Sequence, residues 1–247
     1  MNNKKILILA VLSMLVLPQF AAAQSVLPKL TLGVENAKNP ADLVPTLQIL
    51  FLITILTLAP SILIMMTSFT RITIVFHFLR QSMSTHNVPS NQVLVGLSLF
   101  LTLFIMRPAL IEINEKALQP YLKNQINQEE ALKQASKPIK AFMLKQTREK
   151  DLKLFIELQG TKPSSAEEIS MASLIPAFII SEIKTAFQIG FLLYLPMLLI
   201  DLVVGSILLS MGMMMLPPVM IAMPFKLLLF VLVDGWYLIV ESLIKGF

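Results

Sequence analysis

Residues 46–66 read TLQILFLITILTLAPSILIMM, with no charged side chain among them. A run of this length crosses the hydrocarbon core of a bilayer as a helix, and no soluble domain requires one. TSFTRITIVFHFLR (67–80) follows, an apolar block framed by Arg71 and Arg80. After a polar turn comes NQVLVGLSLFLTLFIM (91–106). The first question this chain poses concerns the membrane; chemistry comes second.

Composition agrees. Of 247 residues, 55% are hydrophobic and 14% charged, against about 25% charged in soluble proteins. The net charge of +5 is too small and diffuse to suggest nucleic acid. No cysteine is present, which excludes disulfides and thiolate metal sites. The two histidines, His77 and His86, sit in different contexts and suggest no metal site. No Walker A, GxGxxG, HExxH or GxSxG motif occurs, so neither an enzyme nor a cofactor is expected.

The N-terminal residues have the three parts of a secretory signal peptide. Lys4 and Lys5 form a basic start, residues 6–17 an apolar stretch too short to span, and Ala21, Ala22 and Ala23 a small-residue cleavage site before Gln24. Cleavage would leave a mature charge of 5 − 2 = +3 and place the new N-terminus outside the inner membrane.

Charge divides the remainder. Residues 107–170 hold 11 basic and 9 acidic side chains, more than half of the chain's total. The expected plan is all-α: a mature N-terminal segment (24–45), a first apolar helical hairpin (46–106), a polar helical domain (107–170), and a second apolar helical block (171–247) with a Met-rich loop. In the polar domain, Ile139, Phe142 and Met143, then Leu152, Phe155 and Ile156, recur at helical spacing. They predict one apolar stripe that needs a partner surface, inside the chain or on another. Pro120 and Pro138 punctuate the domain, and Gly160 is a helix stop.

The second block is broken by Pro176, Pro196, Pro217, Pro218 and Pro224. Broken backbone at membrane depth is tolerated only when covered by protein or lining a cavity, which points to coverage by other subunits. Topology is less determined. With the N-terminus outside, 46–66 runs inward, Arg71 and Arg80 anchor on the cytoplasmic side, and the polar domain is periplasmic. The 92–106 segment is short for a full crossing, so a re-entrant hairpin stands as an alternative.

Several residues stand out as candidates. The run SMGMMMLPP places Met211, Met213, Met214 and Met215 where Gly212 and two prolines predict the end of a helix. Methionine is an ordinary gap-filler, so lipid-facing or core filler is the first reading; as the alternative, a ring of such flexible, polarizable loops would form a deformable apolar constriction. Glu182 and Lys184 are two apart and cannot share a helix face, so each needs its own partner, in another subunit or in solvent. Asp201, Lys226 and Asp234 interrupt apolar runs, where ionisable residues are functional candidates; structural pairing is favoured over a proton relay. Arg71 and Arg80, nine apart, lie on opposite helix faces, one suited to lipid headgroups and the other to protein, and both stand with Asp201, Lys226 and Asp234 as candidate buried or pairing charges.

LTLAPSILIMMTSFTRI, FLRQ, NQVLVGLSLFLTLFIM, FMLKQTREKDLKLF, SEIKTAFQIGF, IDLVV, LLSMGMMMLPP and PFKLLLFVLVDGW together resemble the FliP family of flagellar type III export-gate proteins, in order, over nearly all of 48–243. Injectisome relatives share the Met-rich motif and DGW, whereas the signal peptide and PFKL look more like the flagellar branch. The resemblance implies a pentameric ring assembled with FliQ and FliR, joined by FlhB. FlhA and the export ATPase would couple energy elsewhere, and unfolded flagellar substrates would pass through. It implies residence in the bacterial inner membrane and flagellar basal body, largely above the bilayer plane. It maps a channel gasket to Met213, Met214 and Met215 and contacts between copies to Phe142, Phe155, Glu182 and Lys184. An injectisome homologue, a small ion-coupled transporter using Asp201 and Asp234, and an assembly scaffold are the alternatives. His77, Arg107, Tyr237 and Glu241 depart from the family pattern.

Overall fold

The structure, a computed structural model, describes residues 40–247 apart from 86, 161, 162, 164 and 214; side chains are described from residue 49 onward, those of 59 and 63 excepted. The expected signal peptide, with Ala21, Ala23 and Gln24, lies outside the described residues, as do His86 and Met214. Two compact units are distinguished, Met1–Phe51 and Leu52–Phe247, and the account below concerns the second.

Every long regular element among the described residues is a helix: α1 (Pro40–Met65), α2 (Phe69–Ser82), α3 (Asn91–Ile113), a π-helical turn (Asn114–Leu118), α4 (Gln119–Leu122), α5 (Gln128–Gln146), α6 (Glu149–Gln159), α7 (Met171–Ser210), α8 (Pro218–Leu232) and α9 (Gly235–Lys245). The chain is all-α. From Phe51 to Met65 the large apolar side chains of α1 are mostly exposed. A helix apolar on every side requires a covering, which the described residues do not supply.

The segment 92–106 does not stop where charge resumes. Asn91–Leu122 forms one 32-residue helical stretch, long and apolar enough to cross a membrane. Pro108 lies inside α3 and forfeits one backbone hydrogen bond. Packing offsets that loss: Met106 and Ala117 are buried, and α3 and the π turn lie against α5. The short-crossing argument made from 92–106 alone is thereby removed.

Two cores hold the fold. The first forms around α2, whose Ile72, Val75, Phe76 and Leu79 are buried at helical spacing. They meet Leu94 of α3, Ala186 and Met197 of α7, Phe230 of α8, and Ile239 and Leu243 of α9. Close approach of α2 to α7 depends on Gly190, where an added Cβ would lie 2.5 Å from the Phe78 ring. The second core receives the apolar stripe of the polar segment. Ile139, Phe142, Met143, Leu152 and Ile156 pack with Leu174, Phe178 and neighbours at the start of α7. The stripe's partner is therefore within the chain.

Local chemistry explains the helix ends. The Asn127 side chain caps α5 by accepting from the Glu130 amide at 2.8 Å, with Glu129 and Glu130 in the first turn. Gly160 ends α6 in the left-handed region, at φ +69. The Ser170 hydroxyl caps α7 by accepting from the Ala172 amide. With 40 residues, α7 is about 60 Å long, roughly twice a hydrocarbon core. Its first half carries α5 and α6; the second is largely exposed and apolar.

Candidate functional site

The end of α7 decides how the methionines are presented. The Gly212 amide donates to the Leu209 carbonyl, and the Met213 amide to the Leu208 carbonyl, both at 3.0 Å. Gly212 sits at φ +73. This is a Schellman ending, which requires a left-handed residue at the position after the cap and so selects glycine. Pro218 then opens α8, where its missing N–H costs nothing. Met211 at the cap, and Met213 and Met215 between Gly212 and Pro218, are 62%, 40% and 98% exposed. The turn holds its backbone and leaves its thioethers free.

An ion pair staples the hairpin beneath the turn. Lys226 of α8 is buried and donates to Asp201 of α7 at 2.6 Å, to Ser84 Oγ at 2.9 Å and to the Ser82 carbonyl at 3.2 Å. One ammonium thus ties α7, α8 and the end of α2 together with all three of its donors. Asp201 precedes the turn by ten residues, about 15 Å along the helix. Between staple and tip lies a wholly apolar groove of about 510 Å³, lined by Leu199, Val203, Ile207, Ile221, Phe225 and neighbours.

A second charged site fixes the other half of α7. Arg71 donates through Nε to Glu182 Oε2 at 2.9 Å and through Nη2 to Glu182 Oε1. Nη1 reaches the Gly246 carbonyl at 3.0 Å, and Nη2 the Gln146 Oε1 at 3.1 Å. The guanidinium lies 3.9 Å from the Phe247 ring centre, and that ring stacks on Phe142. Bidentate pairing of this kind is the strongest arrangement available to an arginine and a carboxylate.

These placements differ from several sequence expectations. Glu182 is fully buried, so its salt bridge lies inside the chain and not between subunits; Lys184, two positions on, is exposed. Arg71 is no headgroup anchor, because the same pair buries it. Arg80 turns to the loop, donating to Asn91 Oδ1 at 2.6 Å, with His77 alongside. Asp201 and Lys226 come together. Asp234 does not join them: it is exposed and adopts φ +51 at the joint between α8 and α9. Phe142 and Phe155 are half-buried, Phe142 edge-on to Phe178 at 6.0 Å. Glu241 pairs with Lys245 one turn away, and Tyr237 and Arg107 are exposed.

The joint gives Gly235 and Trp236, quoted above only within a shared motif, a role that sequence reasoning missed. An added Cβ on Gly235 would fall 2.2 Å from the Phe230 ring. Trp236 packs edge-on to Phe230 at 5.6 Å and to Phe76 at 6.2 Å. The run Asp-Gly-Trp thus reads as a left-handed residue, a gap for a ring, and an aromatic lock. It bends α8 against α9 by 63°. The signal was present as a glycine between a polar and an aromatic residue.

A family model described as the FliP family matches residues 52–243. The flagellar biosynthetic protein FliP of Bacillus subtilis (strain 168) is 54% identical over 217 residues, covering 87% of this chain and 98% of that one. The protein of the same name from Aquifex aeolicus (strain VF5) is 48% identical, covering 87% and 91%. That of Pectobacterium carotovorum subsp. carotovorum is 51% identical over 203 residues, covering 82% and 79%. With the match spanning both cores, the methionine turn and the Asp-Gly-Trp joint, the chain belongs to the FliP family.

Proposed function

We propose that this chain is a non-enzymatic membrane subunit of the flagellar type III protein export gate, through which unfolded flagellar proteins cross the bacterial inner membrane. Beyond family membership, the observation that carries this reading is the methionine turn. Exposed, flexible side chains stand on a hydrogen-bonded turn about 15 Å beyond the ion pair of Asp201 with the buried Lys226. Several copies arranged around an axis would close a pore with thioethers that yield to a polypeptide and re-pack after it passes. Met211, Met213, Met214 and Met215 are the gasket in this reading.

The exposed apolar faces of α1, α3, α7 and α8 support membrane residence followed by burial against other subunits. We place those contacts in a pentameric ring of this chain with FliQ and FliR, joined by FlhB and served by FlhA in the basal body. Phe142, Phe155 and Lys184 remain the candidates for contacts between copies. The segments 46–106 and 171–247 act as the membrane-inserted blocks, and 107–170 as a periplasmic domain.

The test replaces Met213, Met214 and Met215 together with Ala in cells carrying the full export system. The expected result is an assembled complex that leaks small ions and still exports flagellar subunits. An assembled complex that stays tight would refute the gasket, and loss of assembly alone would indicate a scaffold.

A further inference from the structure

We propose that the groove beside Arg107 is a binding site for the headgroup of an anionic phospholipid. The groove measures about 810 Å³ and lies where α3, α5 and α9 converge; Phe104, Arg107, Glu112, Phe142, Lys145 and Phe247 are among its lining residues. Its charge is unbalanced. Glu112 is engaged by Lys116 at 2.6 Å. Lys145 donates to the Phe247 carbonyl at 2.6 Å and keeps two further N–H donors. Arg107 is exposed and has no hydrogen bond or ion pair among the described residues. Two cationic side chains therefore rim an otherwise apolar cleft, and its one acidic side chain is already matched.

The surface next to Arg107 states what kind of anion fits. Residues 81–106 contain no Asp, Glu, Lys or Arg, so Arg107 is the first fixed charge along α3. On the same face, three, four, seven and eight positions earlier, Phe104, Leu103, Phe100 and Leu99 are exposed. From Asn91 to Arg107 the helix rises roughly 24 Å, most of a hydrocarbon core of about 30 Å. An apolar strip of that height, ending at an uncommitted guanidinium and an ammonium, complements an amphiphile with acyl chains along the strip and a phosphate at its end. A soluble anion would use the cations and leave the strip uncovered.

This inference rests on α3 being membrane-inserted, and the experiment separates the two. The full chain is reconstituted into nanodiscs of mixed phosphatidylglycerol and phosphatidylcholine, and insertion is scored first. Extracted protein is then weighed by native mass spectrometry with its retained lipids. The wild type should retain phosphatidylglycerol enriched about five-fold over the surrounding bilayer, the ratio that corresponds to about 1 kcal/mol for one interfacial cation. Arg107→Gln should erase the enrichment with helicity unchanged, and Arg107→Lys should keep most of it. Equal ratios in wild type and Arg107→Gln would overturn the proposal. So would a lipid ratio insensitive to Arg107→Gln combined with a changed oligomer distribution, which would assign the groove to a second copy. Failure to insert at either composition would overturn the membrane reading of α3 together with the site.

Discussion

Replacing Arg71 with Met tests whether the buried charge pair holds the two halves of this chain together. Arg71 makes two contacts to Glu182, one each to Gly246 and Gln146, and a face contact with Phe247. Methionine keeps much of the volume and removes every one of these contacts. Glu182, fully buried, is then left with no opposite charge. Breaking a buried pair in this way costs about 3–5 kcal/mol, most of it the burden of the stranded ion. Glu182→Met should cost a similar amount by stranding Arg71. The double replacement should cost less than either single change, because a buried pair exchanged for apolar groups is often neutral. The assay is unfolding of the detergent-solubilised chain followed by helical circular dichroism and by Trp236, the one tryptophan, which sits against Phe76 and Phe230. The coupling between the two sites should therefore exceed the cost of either single change, at more than about 3 kcal/mol. Single changes each below about 1 kcal/mol, or effects that simply add, would refute the reasoning.

Two further predictions follow from packing. Gly235→Ala should destabilise the chain by about 1–3 kcal/mol and shift Trp236 emission, because the new methyl overlaps the Phe230 ring; Phe230→Leu in the same chain should restore part of the loss, and no rescue would mean that the ring is not the obstacle. Met143→Ala should cost about 2–5 kcal/mol, since Met143 is fully buried, whereas Met215→Ala should change stability by no more than about 0.5 kcal/mol; equal costs in the same unfolding assay would contradict the contrast between core and turn.

Much of the architecture was legible because it is written in short-range patterns. Helical spacing from Ile139 to Ile156 gave the stripe that meets α7. Gly160 and Gly212 marked helix ends because the left-handed backbone at each leaves few alternatives. The charged partners were not legible. Arg71 meets Glu182 across 111 positions, and Lys226 finds Ser84 across 142; periodicity says which face is inward but not which element lies opposite. The same limit explains Glu182, assigned to a contact between copies until the close packing of α2 on α7 placed Arg71 over it. Asp234 was grouped with the pairing charges because it interrupts an apolar run, yet its role is backbone geometry. The end of the apolar segment at Met106 was misleading for a related reason. A charge and a proline usually close a helix, but α5 packs against this one and carries it onward.

The distance in sequence between Arg71 and Glu182 has a consequence for biosynthesis. A ribosome adding 5–20 residues per second needs roughly 5–20 s to make the intervening 111 residues. Throughout that interval Arg71 has been made and its carboxylate has not. The nascent chain must keep a cation hydrated, or held at a lipid headgroup, on a segment otherwise committed to apolar surroundings. Its final position is reached only after α7 arrives. Synthesis order and assembly order are therefore different in this chain, and α2 cannot settle into its native packing before α7 has been made.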